Sequence, residues 1–318
     1  MRARRIEPLA DEYLELLRSP DPRRVFCGSP GIDVLPTGRI VVTDGLRGPG
    51  VREALPPAER RFLTNARKEG SGAEWIGYAM VSDDGGRTFR TTGTYPMLHQ
   101  RPFHAGGSLY ILGHDDDLAI IRSDDDGETW SAPSYLTTGQ KWHQAPSNYV
   151  IANGCVYLVM ERRMSFEIGG WYVGEMAPIL MRGRVDSDLL DPENWTFASP
   201  LSFRDALPDA AGRPAIDYFG VPFFEAPYPA GAFVGGGDAA GGDAAGGGPS
   251  RRYCAPMGWL ETNVVRFRDP DHLWHDPSGR TFHLWMRAHT GGTGYACVAK
   301  AVEEEPGAGP IATRLETV

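Results

Sequence analysis

Short apolar runs, separated at close spacing by glycine, proline, asparagine and aspartate, fill the chain from Val25 onward. Runs of this length that are bounded by turn residues are typical of many short strands. One segment differs, because apolar side chains recur at helical spacing in Glu7–Ser19 and Pro8 suits a first helical turn. The pattern therefore predicts a short N-terminal helix followed by an all-β domain.

A hairpin pattern occurs four times along the chain: an apolar strand, a turn that ends in glycine, and a second strand. The four turns end at Gly38, Gly107, Gly154 and Gly279. A tight hairpin places a residue at positive φ, which glycine adopts without a steric penalty. The recurrence predicts an architecture that is built from one repeated unit of strands.

A sharper repeat has the pattern S-x-D-x-G-x-T followed by an aromatic residue. It occupies Ser82–Phe89 and Ser123–Trp130, and the second copy begins 41 residues after the first. Serine and aspartate side chains bond nearby backbone N–H groups in such turns, and the aromatic ring fills space between strands. The offset matches one four-stranded blade of a β-propeller. The segment Asp186–Thr196 is predicted to be a degenerate third copy.

These two motifs resemble the Asp-boxes, or BNR repeats, of the sialidase-like superfamily. The resemblance implies a β-propeller of four-stranded blades: six, or seven with the last incomplete if the chain is truncated at its C-terminus. The propeller domain would occupy residues 25–318, after a helical extension over residues 1–24 that the apolar spacing predicts. Composition predicts a flexible Gly/Ala-rich insertion at 230–250. In that superfamily the boxes lie away from the active centre, so they indicate the fold and not the reaction.

Composition excludes several classes of protein. A formal net charge of −9, without a long basic run, argues against nucleic acid as a partner. The four cysteines are widely spaced, which argues against a zinc knuckle, and we expect no metal or other cofactor. Because no long apolar run or signal-peptide core is present, we expect no membrane partner. The expected location is cytoplasmic, or secreted if the true N-terminus is missing.

True sialidases carry the first of three carboxylate-binding arginines in an Arg-Ile-Pro motif, and Cys27–Ile32 lacks that arginine. Over residues 25–300 the chain looks more like the rhamnose–glucuronate lyases and related rhamnosidases. The matching motifs are Gly28-Ser-Pro30, His104 before Leu109–Gly113, Trp142–Pro146, Met160-Glu-Arg162 and Trp259–Asn263. This resemblance implies an acidic oligo- or polysaccharide as the substrate.

Elimination across a uronate removes the proton beside the carboxylate, so it needs a base and a group that neutralises the carboxylate. His143 and His104 are the candidates for these roles, and Arg162 and Arg287 are the candidate ligands of the carboxylate. The alternatives stay open: a hydrogen-bonded structural histidine at position 143 and an ordinary loop histidine at position 104.

Other polar and aromatic residues complete the expected site. Glu161 ends an apolar strand, where it serves either the site or an ion pair. Period-two alternation predicts that Trp259, Glu261 and Asn263 share one face of a strand, with Glu261 as an acid or a ligand of sugar hydroxyls. The predicted substrate-binding residues are Trp142 and Trp259, which would stack on sugars, together with Asn263 and His289.

The favoured function is therefore a carbohydrate-active enzyme that cleaves a linkage to a uronate by β-elimination. One alternative is a glycoside hydrolase of the exo-sialidase or rhamnosidase type that uses Glu261 or Glu161. A second alternative is a glycan-binding propeller without activity, in which Trp142 and Trp259 stack on sugars and no base is needed. The products separate the two enzymes, because only elimination leaves an unsaturated, ultraviolet-absorbing uronate.

Overall fold

A computed structural model describes residues 12–63, 74–145, 147–166, 173–202, 215–218, 221–225, 257–290 and 294–315. The described chain folds almost entirely into antiparallel strands. Its helical elements are α1 (Val51–Ala54) and three 3-10 turns, Arg60–Phe62, Val173–Glu175 and Pro192–Asn194. Within the described residues, no helix has the length and apolar character to cross a membrane.

Two sheets form the N-terminal half of the fold. Sheet I contains β1 (Phe26–Cys27), β2 (Gly31–Val34), β3 (Ile40–Gly48), β4 (Glu74–Ser82) and β5 (Arg90–Tyr95). Sheet II contains β6 (Leu98–Ala105), β7 (Ser108–Asp115), β8 (Asp117–Ser123) and β9 (Ser134–Tyr135).

The C-terminal half repeats this plan. Sheet III contains β10 (Trp142–His143), β11 (Val150–Ala152), β12 (Cys155–Arg163), β13 (Met176–Arg184) and β14 (Trp195–Phe197). A separate hairpin consists of β15 (Ala215–Tyr218) and β16 (Val221–Glu225). Sheet IV contains β17 (Met257–Val265), β18 (Thr281–Thr290), β19 (Gly294–Glu305) and β20 (Ala308–Leu315).

Each of the four sheets is an antiparallel meander in which the strands follow one another in chain order. This is the strand order of a propeller blade. The largest hydrophobic cluster joins sheets II, III and IV, and at its centre the rings of Tyr157 and Phe282 stack with centroids 4.0 Å apart. The all-β prediction is confirmed, with four sheets of four or five strands in the described residues. Six blades remain a prediction.

In each of the four sheets, the first strand is broken or bulged part-way along its length. In sheet I residues 28–30 separate β1 from β2, and in sheet III residues 144–149 separate β10 from β11. In sheets II and IV the ladder register shifts within the strand, which marks a β-bulge. Ser29, His99 and Glu261 adopt φ values of 56°, 53° and 58° at three of these interruptions. Bulges of this kind re-aim side chains and are common beside active sites.

The predicted N-terminal helix is absent from its described part, since residues 12–19 have no regular secondary structure. Leu17 packs on the cluster around Val25, but Tyr13 is 93% exposed. A helix of this length is marginal unless its apolar face is buried, and here only part of that face finds a partner. Residues 7–11 and the insertion at 230–250 lie outside the described residues. The division into 1–24 and 25–318 remains a prediction.

The two S-x-D-x-G-x-T turns are equivalent, as predicted. In the first, between β4 and β5, the Asp84 carboxylate accepts from the backbone N–H and the hydroxyl of Thr88 at 2.9 and 2.7 Å. The second, between β8 and β9, repeats both bonds between Asp125 and Thr129 at 2.8 and 2.6 Å. The closing Trp130 reaches β5 of the neighbouring sheet with its indole N–H. Each turn therefore locks its own sheet, and the second also joins sheets I and II.

The predicted third copy lies at the same place in sheet III, between β13 and β14. Asp188 accepts from the backbone N–H of Leu190 at 3.1 Å, and the buried Trp195 donates its indole N–H to the Leu189 carbonyl at 2.9 Å. The position in the sheet and the plugging aromatic ring are kept, while a 3-10 turn replaces the threonine bonds.

We expect an Asp125→Ala variant to be less stable than the parent protein at neutral pH. Hydrogen bonds from the Thr129 hydroxyl and backbone N–H lower the pKa of Asp125 to about 2. Because this pKa lies below that of an unfolded aspartate, at about 4, the stabilisation is present above pH 4. It disappears as the pH falls through about 2. Thermal unfolding measured against pH should therefore show the two proteins converging in acid.

The matched control for this experiment is Asp271→Ala, which removes an exposed carboxylate outside both turns. Its unfolding temperature should follow that of the parent at every pH. A difference between Asp125→Ala and the parent that stays constant down to the acid limit would contradict the assignment of the stabilisation to these hydrogen bonds.

Candidate functional site

Three histidines from two sheets meet beside the interrupted first strands. Nδ1 of His99 in β6 lies 2.9 Å from Nε2 of His114 in β7. The His143 ring, at the end of β10, stands edge-on to the His99 ring with centroids 4.6 Å apart, and its centroid lies 6.0 Å from that of His114. His99 and His114 are buried, whereas the His143 side chain keeps 14% of its surface exposed. His143 is therefore the imidazole of this group that solvent reaches most readily.

The bulge in β6 directs His99 into this group. His99 and Gln100 together oppose the single residue Gly113, and His99 adopts a φ of 53°. A Cβ atom at position 113 would lie 2.9 Å from the Leu98 carbonyl oxygen, so the bulge requires glycine there. A non-glycine residue at positive φ is strained, and such strain concentrates at functional sites.

Burial keeps two of the three histidines neutral. It lowers the pKa of His99 well below its usual value, and the neighbouring His143, His114 and Arg47 side chains act in the same direction. Burial likewise lowers the pKa of His114, with His143 and Lys141 acting the same way. In the 2.9 Å contact between two neutral rings, one nitrogen donates and the other accepts.

A fully buried carboxylate faces the third histidine. Glu161 of β12 pairs with His143 in the ladder, and its Oε2 lies 3.6 Å from Nδ1 of His143. Its Oε1 accepts from the backbone N–H and the hydroxyl of Thr262 at 3.1 and 3.0 Å. Thr262 lies in the bulge of β17, so a residue of sheet IV donates both hydrogen bonds to this carboxylate of sheet III. A carboxylate at this place orients an imidazole and stabilises its protonated form.

An arginine from sheet II completes the arrangement. Arg101 is buried, and its Nη2 donates to the Ser147 hydroxyl at 2.7 Å and to the Val159 carbonyl at 2.9 Å. Burial lowers the pKa of Arg101 to about 10, and the nearby charge of Glu161 acts in the opposite direction. Arg101 is therefore charged at neutral pH inside the fold, where the charge of Glu161 acts on it.

We refer to His99, His114, His143, Glu161 and Arg101 as the histidine cluster. Two of its members, His143 and Glu161, are among the site residues predicted from the sequence. Arg101 lies in β6, whose sequence mixes polar and apolar residues and so does not mark this guanidinium as buried. His114 precedes three consecutive aspartates, and such a run is typical of a solvated turn rather than of a buried ring.

The structure does not bring His104 into the histidine cluster. It follows His99 by five positions along β6, a separation of about 17 Å in an extended strand. There its backbone bonds to the Asp33 carboxylate, which also accepts from the Tyr149 hydroxyl at 3.0 Å. The two candidate histidines therefore belong to different parts of sheet II and its neighbours.

Arg162 lies on the other face of β12 from Glu161. Successive side chains of a strand alternate between faces, and Arg162 pairs with Trp142 whereas Glu161 pairs with His143. The Nε of Arg162 contacts the sulfur of Met164 at 3.3 Å. This places the Arg162 guanidinium away from the cluster.

The predicted shared face of Trp259, Glu261 and Asn263 is wrong. The bulge in β17 adds a residue between Leu260 and Asn263 and breaks the alternation. Trp259 is buried, while Asn263 is exposed and donates to the Glu261 carbonyl at 3.3 Å. A bulge reverses the facing of all residues beyond it, which a strict period of two does not anticipate.

Glu261 and Arg287 form an ion pair on the exposed side of sheet IV. Their closest atoms, Oε2 and Nη1, are 3.3 Å apart, and the side chains are 38% and 49% exposed. Arg287 pairs with Leu260, the residue before the bulge, just as His114 pairs with Leu98 before the bulge of sheet II. Arg287 therefore occupies the same ladder position in its sheet as His114 does. His289 lies two positions further along β18, opposite Gly258.

The two tryptophans that were predicted to stack on sugars are core residues instead. Trp142 is 2% exposed, packs on Phe197 and donates its indole N–H to Gln140 at 3.0 Å. Trp259 is 1% exposed and donates its indole N–H to the Leu201 carbonyl at 3.0 Å. A ring that is enclosed on both faces offers no surface to a sugar.

No family model matches the chain, and no curated protein sequence matches it. Solved structures with a related backbone include an α-L-arabinanase from Penicillium chrysogenum complexed with arabinobiose, at a TM-score of 0.42 and 11% identity over 92% of this chain and 67% of that one. They also include an α-L-arabinofuranosidase from Lactobacillus brevis, at a TM-score of 0.44 and 12% identity over 92% of this chain and 79% of that one. A Trypanosoma rangeli sialidase has a TM-score of 0.41 and 11% identity over 83% of this chain and 30% of that one.

Proposed function

We propose that this protein is an enzyme that cleaves a glycosidic bond to a uronate in an acidic oligo- or polysaccharide by β-elimination. The observation that carries the proposal is the contact of 3.6 Å between the solvent-reaching His143 and the buried Glu161. A histidine that is oriented by a buried carboxylate is a general base that works near neutral pH. The two neutral histidines beside it add no positive charge that would oppose its protonation.

The reaction assigns a defined task to each group. His143 removes the proton on the carbon next to the uronate carboxylate through its Nε2, because Nδ1 faces Glu161. The electron pair of that C–H bond forms the new C=C bond, and the C–O bond to the leaving sugar breaks. The leaving oxygen takes up a proton from solvent water, and the proton on His143 is later lost to solvent. Glu161 stabilises the imidazolium that forms on His143, which is the charge that develops during proton removal.

Hydrolysis in the usual form is less well supported by the arrangement. It needs two carboxylates on either side of the scissile bond, one as an acid and one as a base or nucleophile. Glu161 has no exposed surface, and one of its oxygens is taken by Thr262. Glu261 is accessible but is held in an ion pair with Arg287. The histidine and its carboxylate are the better matched proton-transfer pair.

Recognition of the uronate carboxylate is assigned to Arg287. Its guanidinium is half exposed, and its ladder position matches that of His114 in the cluster. A guanidinium binds a carboxylate through two parallel N–H···O bonds, so a substrate carboxylate competes with Glu261 for the same donors.

An Arg287→Lys variant should raise KM for an acidic substrate roughly tenfold and change kcat less, because lysine keeps the charge but loses the fork. Steady-state kinetics on a uronate oligosaccharide measure the effect. The exposed Arg314→Lys serves as the matched control and should leave both constants unchanged. An unchanged KM in the Arg287 variant would remove Arg287 from the recognition of the carboxylate.

The proposed function is tested by incubating the protein with uronate-containing oligosaccharides and separating the products. Elimination yields an unsaturated uronate with a new ultraviolet absorbance and a matching mass. Hydrolysis yields a new reducing end without that absorbance, and would replace the lyase mechanism with the hydrolase alternative. Binding without any product across a panel of acidic glycans would instead support the glycan-binding alternative.

A further inference from the structure

The Arg101 side chain extends from sheet II and contacts sheet III beside a residue of sheet IV. Its Nη2 shares the Val159 carbonyl with the Gln144 amide, at 2.9 and 3.4 Å. The Ser147 hydroxyl that accepts from Arg101 itself donates to the Thr262 carbonyl at 3.0 Å. Thr262 is the residue that holds Glu161. Arg101 and Glu161 are therefore linked through one short chain of hydrogen bonds.

The two residues also carry complementary hydrogen-bonding capacity. Among the described residues, Nε and Nη1 of Arg101 have no acceptor, and Oε2 of Glu161 has no hydrogen-bond donor. Both side chains are buried, and the charge of Glu161 acts on the Arg101 guanidinium. A buried guanidinium and a buried carboxylate at close range stabilise each other's charged forms.

Two imidazoles lie beside Glu161 and His143, namely His99 from β6 and His114 from β7. Among the described residues, Arg47 is the permanent cation that acts on His99, and Lys141 is the permanent cation that acts on His114. His99 and His114 are held neutral by burial. The charge of Glu161 acts to raise the pKa of the buried Arg101 guanidinium.

We propose that Arg101 is a positioning residue of the site: it keeps Glu161 ionised without a proton from His143, so that His143 is unprotonated and able to act as the base. Without the guanidinium, a buried carboxylate would be neutralised by a proton held between Glu161 and His143. That proton would block the base. This inference rests on the proposed function for its activity, but the charge pairing itself belongs to the folded protein alone.

The first experiment measures the charge pairing by thermal unfolding of Arg101→Gln, Glu161→Gln and the double variant. Glu161→Gln leaves a buried guanidinium without its counter-charge, and Arg101→Gln forces a proton onto the Glu161–His143 pair. Each single variant should therefore unfold roughly 5–10 °C below the parent. The double variant contains neither charge and should recover at least half of the larger loss. Losses that simply add up would overturn the proposal, because independent packing defects are additive.

The second experiment measures the pH profile of kcat/KM. Loss of the positive charge increases the proton affinity of the Glu161–His143 pair, so the acid limb of Arg101→Gln should move to higher pH by about one unit. Its activity should return on the alkaline side. Arg101→Lys, which keeps a charge, should restore activity on the acid side. The matched control is Arg182→Gln, which removes a buried arginine that forms an ion pair elsewhere in the fold. It should lower the stability and leave the pH of the acid limb unchanged.

The two experiments separate this inference from the proposed function. Recovery of stability in the double variant, with no product from any protein, would support the charge pairing and reject the reaction. Product formation with an unmoved acid limb in Arg101→Gln would reject the role of Arg101 and keep the reaction. If Arg101→Gln does not fold, folding of the double variant supports the pairing, and failure of both variants overturns it.

Discussion

A His143→Gln variant should lose about 10²–10⁴-fold in kcat, which is the usual contribution of a positioned acid–base group. Glutamine keeps a polar side chain opposite Glu161 but offers no nitrogen that accepts a proton. KM for the acidic substrate should change little, since Arg287 still binds the carboxylate. The measurement is the initial rate of formation of the unsaturated uronate, taken with circular dichroism and an unfolding temperature to show that the variant folds.

The matched control is His272→Gln, which removes an exposed histidine in the β17–β18 loop that stacks on Phe267. It should keep the parent rate. Full activity in His143→Gln, together with loss of activity in Glu261→Gln, would reject elimination. The hydrolase alternative with Glu261 as its acid would then take its place.

The parts of the fold that could be predicted are those that short stretches of sequence determine. Asp84 and Asp125 each bond to a threonine four positions further along, so the entire turn is encoded within eight residues. The hairpins that end in glycine are equally local. Their recurrence predicted repeated antiparallel sheets, and the described residues contain four of them.

The parts that could not be predicted depend on the register between strands. Where β6 and β17 bulge, His99 and Glu261 leave the alternation, and the facing of every later residue changes. The alternation of polar and apolar residues does not by itself mark these bulges. Tertiary packing likewise buried Trp142 and Trp259, whose aromatic rings alone could not distinguish a core residue from a sugar platform.

The predicted N-terminal helix failed for the same reason, because tertiary packing decides whether a helix forms. Its apolar spacing is helical, but a helix needs a surface to cover, and that surface is a property of the whole fold. Arg101 is a residue whose tertiary contacts the sequence did not reveal. Its strand contains other polar residues, and Glu161, whose charge acts on Arg101, lies 60 positions further along the chain on another sheet.

The core between sheets III and IV contains a second buried charge, Glu303 of β19. Its Oε1 accepts from Arg182 at 2.7 Å and from the Tyr157 hydroxyl at 2.8 Å. Its Oε2 accepts from the backbone N–H of Gly307 at 2.8 Å and from the Asn153 amide at 3.2 Å. The carboxylate has no exposed surface, so four donors from two sheets replace the water that it lost on folding.

Replacing Glu303 with alanine should therefore lower the free energy of unfolding by about 3–5 kcal/mol, because the Arg182 guanidinium would stay buried without a counter-charge. Denaturant unfolding measures this loss. The matched control is Glu304→Ala, one position along the same strand and exposed, which should change the stability by less than about 0.5 kcal/mol. Equal losses in the two variants would mean that the buried ion pair does not hold sheets III and IV together. A Glu303→Ala/Arg182→Met double variant that regains part of the loss would assign the cost to the unpaired guanidinium rather than to the cavity.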